Sequence, residues 1–199
     1  IDEKGLKEVD AVVHLAGAPI AAGRWTEARK RSIKQSRIRG TDLIARTLAT
    51  MEDGPRTLIS SSAVGYYGNR GSEILNETMP VGRGFLADVC EDWENATVPA
   101  ERAGIRVVKL RTGIVLSPQG GALGQMLLPF KMGAGGRLGS GTQYMSWIDL
   151  DDLIGMIYHA LYEGSLSGVV NATAPTPVPN AAFTSALGRV LGRPTVLPV

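Results

Sequence analysis

The stretch ISSSAVGYYG, residues 59–68, sets three serine hydroxyls at the end of an apolar run and two phenols just beyond them. Hydroxyls and phenols presented together suit proton transfer, because a phenol gives up or takes a proton at its oxygen while a neighbouring hydroxyl holds the reacting group. Tyr66 and Tyr67 are the phenols on this lip. A purely structural role is open to every one of these groups. A strand-end serine caps backbone groups, and tyrosines commonly pack with the hydroxyl tied to a partner.

Other reactive side chains are few. Arg37 falls on the otherwise apolar and small face of its helix, with Ile33, Gly40, Thr41, Ile44 and Leu48. A guanidinium there either snorkels to the surface, pairs with an acid, or meets a ligand anion such as a dinucleotide phosphate, since burying it without an anion is costly. His14 ends an apolar run and is expected to be a buried, hydrogen-bonded histidine rather than a ligand. Asp149, Asp151 and Asp152 have no His or Cys beside them, so helix capping and the helix dipole account for them without a metal. Cys90 has no His or Asp motif around it and reads as packing, and His159 is an ordinary helix residue. Arg29, Lys30 and Lys34 lie mostly off the apolar stripe, as on a solvated helix face, and no aromatic interleaving supports a nucleic-acid partner.

The elements that must position these groups follow from periodicity. DAVVHLAGAP (10–19) is a short apolar run closed by Gly and Pro, the pattern of a buried parallel strand. Residues 26–50 have helical period, 56–64 form a second strand, and 85–103 a helix with Phe85, Val89, Trp93, Ala96 and Ala100 on one side. Pro99 is placed to break its end. IRVVKLRTGIVLS (105–117) reads as one strand, followed by a helix over 122–132 and the Gly-rich loop GAGGRLGSGTQ. A short strand MSWID leads into a helix that Asp149 or Asp151 can cap. A strand over 168–175 and a helix over 180–192, opened by Asn180, complete the series. Strands alternating with helices imply a doubly wound α/β fold with a parallel sheet.

The 199 residues suffice for a large core, and 44% hydrophobic with 20% charged residues and 25 glycines fits a glycine-rich α/β protein. A net charge of +2 argues for no particular charged partner. The single cysteine excludes an internal disulfide framework and fits a reducing, cytoplasmic compartment. No stretch approaches the roughly 20 apolar residues that cross a bilayer, and no signal-peptide pattern is present, so neither membrane nor export is expected. The sequence begins without Met and ends abruptly, which reads as a fragment.

Taken in order, HLAG at a strand end, SSS at the next, RTGIVLS and WIDLDDL resemble the second part of the extended short-chain dehydrogenase/reductases. The stretches GRW, DWE, GGALGQMLLPF and LGSGTQYMSWI resemble the atypical members termed epimerase family proteins, the NAD-dependent epimerase/dehydratase type. The resemblance implies strands four to seven of a Rossmann-like sheet. Residues 1–117 would be the second part of the NAD(P)-binding domain, and 118–199 a substrate-side region with the last Rossmann strand and helix. The family's N-terminal GxxGxxG unit, which seats the pyrophosphate on a helix N-terminus, and its C-terminal extension have no counterpart here.

The resemblance also implies roles. Ser62 aligns with the family's catalytic serine. Leu15, Ala16, Gly17, Ser60 and Val115 fall at cofactor positions, with Arg37 beside them, and Trp147 borders the substrate pocket. The cofactor would be NADP or NAD, NADP being favoured. The family's Tyr and Lys, one helical turn apart, fall on Phe85 and Val89, neither of which can do that chemistry. Two functions remain open: an oxidoreductase or isomerase of a small polar substrate, with Tyr66 or Tyr67 as proton donor, or a non-catalytic NAD(P)-binding regulatory or interaction protein. A small-molecule partner and an oligomeric assembly are compatible with either.

Overall fold

The computed structural model describes residues 3–21 and 23–195. Four strands form the main sheet: β1 (Ala11–His14), β2 (Thr57–Ala63), β3 (Arg106–Thr112) and β7 (Gly168–Ala172), in the order β1-β2-β3-β7. β1 and β2 run parallel, with Ala11 opposite Thr57 and His14 opposite Ser60. β2 is buried along most of its length, as expected of an inner strand covered on both faces. β1 lies at the edge, and Val13 on it is 39% exposed.

Helix α1 (Glu27–Thr50) links β1 to β2. Thr26 caps it, its side-chain oxygen accepting from the Arg29 amide at 3.2 Å, and Glu27 adds a negative charge in the first turn. The face turned inward carries Ile33, Arg37, Thr41, Ala45 and Leu48. Ala45 and Leu48 pack with Leu58, Ala100, Ile105 and Val107 in a core cluster.

The helix expected over 85–103 is two helices, α2 (Phe85–Asn95) and α3 (Val98–Arg102). The break falls at Ala96–Thr97, because Pro99 occupies the first turn of α3, where its missing amide costs no hydrogen bond. The strand expected over 105–117 is likewise divided into β3 and β4 (Ile114–Ser117) at Gly113. There the Ser146 carbonyl oxygen would stand 2.7 Å from any Cβ, so only glycine lets the backbone through.

The chain divides into two compact units. One holds the residues up to Gly68, Asn76–Arg111 and Ile157–Asn171; the other holds Asn69–Leu75, Thr112–Met156 and the residues from Ala172 onward. In the second unit β4 pairs in parallel with β6 (Trp147–Asp149), and β5 (Tyr144–Met145) pairs antiparallel with β8 (Val178–Pro179). Its helices include α4 (Gly121–Lys131) and α6 (Asn180–Leu191). Asp149 begins α5 (Leu150–Tyr162) by accepting the Asp151 amide at 2.9 Å. Asn180 does not cap α6 as expected, since Pro179 holds that place. The Asn180 carboxamide instead takes the Leu138 amide of the Gly-rich loop at 2.8 Å. Among the described residues no helix is long and apolar enough to cross a membrane.

Candidate functional site

The loop that leaves β1 exposes Leu15, Ala16 and Gly17 and is tied down to α1. Ala18 donates its amide to Ser36 Oγ at 3.0 Å, and its carbonyl accepts from Arg37 Nη1 at 3.1 Å. Arg37 Nη1 also reaches the Ile33 carbonyl at 3.1 Å, and the guanidinium carbon stands 5.0 Å from the Trp93 ring centre. The side chain is 8% exposed and makes no ion pair among the described residues. Burial pulls its pKa below the ordinary arginine value. The guanidinium lies directly beneath Gly17, where a Cβ would approach Cζ to 3.0 Å. A glycine at that position is thus what lets the cation come up under the loop.

His14 is buried, as expected, but its Nε2 has no hydrogen-bond partner among the described residues. The ring instead faces Gly40 of α1, where a Cβ would lie 3.6 Å from Nε2, so the neighbour offers no polar group. Burial lowers its pKa.

The end of β2 leads into a short 3-10 turn, Val64–Tyr67, which places both tyrosines. Ser62 Oγ donates to Glu94 Oε1 at 2.7 Å in a buried setting. Glu94 is gripped from the other side by Arg111, Nε to Oε1 at 2.8 Å and Nη2 to Oε2 at 2.9 Å. Arg111 Nη1 continues to the Tyr67 hydroxyl at 3.0 Å, and that hydroxyl donates to Asn171 Oδ1 at 2.6 Å. Glu77 closes the ring by accepting the Asn171 amide at 2.8 Å. Burial acts to lower the Arg111 pKa, but hydrogen bonds to Glu94 and Tyr67 and the charge of Glu94 outweigh it, and the net shift is upward. Tyr66 lies flat against this guanidinium, with its ring centre 3.3 Å from Cζ, and edge-on to Tyr67 at 5.5 Å. Its hydroxyl has no hydrogen-bond partner among the described residues. Ser60 is buried in the strand, its hydroxyl 3.4 Å from the Ser61 carbonyl oxygen.

Phe85 and Val89 lie on the same face of α2. Phe85 opens α2 and meets the Trp25 ring edge-on, centre to centre 5.6 Å. Val89 is 2% exposed. Cys90, on the same helix, has its thiol pushed up to about 11 chiefly by burial and then by Glu94. Among the described residues no cluster of three or more His, Cys, Asp or Glu is arranged to hold a metal.

The first unit therefore brings together Leu15, Ala16, Gly17, Arg37, Ser60, Ser62, Tyr66 and Tyr67. Val115 and Trp147 belong to the second. Val115 is half-buried opposite Ile148, and the Trp147 indole donates to the Thr176 carbonyl at 3.0 Å. Sequence reasoning passed over Glu94, Arg111 and Asn171. The signal for the first two was a charge on the inward face of an otherwise apolar element, at Glu94 beside Trp93 and at Arg111 beside Leu110.

Residues 3–172 match the NAD dependent epimerase/dehydratase family. An epimerase family protein of Mycobacterium bovis is 50% identical over 196 residues, which cover 98% of this chain and 64% of that protein. The chloroplastic SDR39U1 homolog of Arabidopsis thaliana is 47% identical, over 95% of this chain and 54% of its own length. The chain thus spans about two thirds or less of the relatives it matches. The crystal structure of human epimerase family protein SDR39U1 (isoform 2) with NADPH superposes with a TM-score of 0.91 at 35% identity, over 96% of this chain and 65% of that one.

Proposed function

The chain belongs to the NAD dependent epimerase/dehydratase family, and from that premise we propose that it contributes part of a nicotinamide-dinucleotide site. Leu15–Gly17 would lie along the cofactor, with Arg37 beneath it. The observation that carries this reading is Arg37: a cation 8% exposed, satisfied by carbonyls but by no carboxylate among the described residues, and lying directly against the loop glycine Gly17. Such a group gains most from an anion, and a dinucleotide supplies phosphates. The human relative was solved with NADPH, which favours NADP over NAD here.

Bound there, the cofactor supplies hydride exchange. The chain's own residues must hold the reacting group and move a proton. Ser62 Oγ already donates to Glu94, and both sides of the Tyr67 hydroxyl are engaged. Tyr66 is the phenol on this lip whose oxygen has no hydrogen-bond partner among the described residues, and the Arg111 guanidinium lies against its ring. We assign it the role of proton donor in an oxidoreductase or isomerase reaction, in place of the Tyr–Lys pair whose positions are Phe85 and Val89. The alternative, a non-catalytic NAD(P)-binding protein, is favoured by the same Ser62 and Tyr67 bonds, which make both residues part of the framework.

Calorimetry with NADPH and NADH on the longest natural polypeptide containing this chain tests the cofactor site. Arg37→Ala should weaken NADPH binding about tenfold or more, in line with loss of a charge-assisted contact. An unchanged affinity would remove Arg37 from the site. Turnover with a carbonyl panel should fall about 100-fold in Tyr66→Phe and survive in Tyr67→Phe if both fold normally.

A further inference from the structure

We propose that Trp25 and Phe85 form a platform for a planar aromatic ring, so that the substrate carries its carbonyl on a flat apolar skeleton and not on a polyhydroxylated sugar. The carbonyl chemistry rests on the function proposed above; the ring binding does not. Trp25 is 41% exposed although it is a large aromatic side chain. It is also held in place. Its Nε1 donates to the Ile20 carbonyl at 3.1 Å, and its ring meets Phe85 at 5.6 Å with an interplanar angle of 71°. Ala18 and Pro19, ahead of it in the chain, are tied to α1 through Ala18 to Ser36, Arg37 to Ala18, and Arg29 to Pro19. An exposed indole whose orientation is already set by a hydrogen bond and a ring contact has less freedom to lose when a ligand stacks on it, which suits a binding platform.

The chemistry of the surface selects the ligand. With Nε1 engaged, the indole has no donor left, and Phe85 has none to give. A sugar would leave its hydroxyls without partners on such a surface, at the cost of their desolvation. A flat ring would gain edge-to-face or stacked contact with both aromatics. Lys30 adds a cation 5.8 Å from the Phe85 ring centre, but Glu27 pairs with it at 2.9 Å, so it presents no free charge to attract an anionic sugar nucleotide. Phe85 opens α2, whose next residue Leu86 packs against Gly65 of the turn that carries Tyr66, so a ring bound on Phe85 would lie near the proton donor proposed above.

The test is a titration of the longest natural polypeptide containing this chain, following the indole N–H signals of its tryptophans by NMR, with the Trp25 signal assigned by its loss in Trp25→Phe. The probes are 2-naphthol and glucose 1-phosphate, a sugar with no aromatic ring, each with and without saturating NADPH. A saturable shift of the Trp25 signal with 2-naphthol, absent with glucose 1-phosphate and retained in the presence of NADPH, is expected. Trp25→Ala should weaken 2-naphthol binding about tenfold, and Trp25→Phe should keep most of it. No shift with 2-naphthol, a shift with glucose 1-phosphate instead, or a naphthol shift abolished by NADPH would overturn the proposal; the last would give the platform to the cofactor's own rings. Failure of NADPH to bind while the naphthol shift persists would strike the cofactor reading alone and leave the platform standing.

Discussion

Ser62, Glu94, Arg111 and Tyr67 form a chain of buried polar groups in which each member satisfies the next, and this makes them interdependent. The Glu94–Arg111 pair has side chains 9% and 3% exposed, so removing one charge strands the other in a medium that solvates it poorly. Glu94→Gln should therefore destabilise the fold by about 3–5 kcal/mol in urea unfolding, the range for breaking a buried pair. Ser62→Ala should cost only about 1–2 kcal/mol, one hydrogen bond to a charged acceptor. Combined, the two should cost less than their sum, because both act through the same carboxylate. A full additive loss would mean that Ser62 and Glu94 do not communicate. At Cys90 the thiol, pushed up to about 11 by burial, should stay unreactive toward alkylating reagents near neutral pH until the protein unfolds. Modification of the native protein at the rate of a free thiol would contradict the burial.

At the scale of elements, the strands and helices were legible where periodicity alone decides them, as in α1, whose inward Ile33, Arg37, Thr41 and Leu48 repeat at helical spacing. The breaks were harder to read. Gly113 divides a continuous β-rich run because a distant carbonyl, that of Ser146, comes too close, and no local pattern reports a distant atom. The site was legible in the same uneven way. Arg37 stood out as a charge on an apolar face, while the unpartnered Nε2 of His14 depends on what α1 happens to place opposite it, which is Gly40. Arg106 was invisible for a similar reason. Its guanidinium leaves β3 and caps α5, donating to the carbonyls of Ala160 at 2.8 Å, Leu161 at 3.0 Å and Leu166 at 2.9 Å. The Ala160 and Leu161 carbonyls, in the last turn of α5, have no partners within the helix, and a cation there also opposes the negative end of the helix dipole. Arg106→Ala should cost about 2–3 kcal/mol, and hydrogen exchange should speed up first in the last turn of α5. Uniform loss of protection across the sheet would show that Arg106 supports β3 and not the helix end.

At the scale of the whole molecule, the buried histidine ties folding to pH. In the folded protein burial lowers the His14 pKa below 6.5, the value it regains on unfolding. As pH falls through 6.5 the unfolded chain takes up a proton that the folded protein refuses, so the unfolded state is favoured by mass action. Stability should thus be level at neutral pH and decline as pH drops below about 6.5, with a slope of at most about 1.4 kcal/mol per unit from this one group. The decline ends only where the folded histidine itself protonates. Carboxylates add their own acid limb at lower pH, so the test compares wild type with His14→Gln between about pH 7.5 and pH 5, above most carboxylate titration. The variant should lose the slope in that window whatever its absolute stability, since glutamine does not titrate. A slope that persists in His14→Gln would place the proton elsewhere.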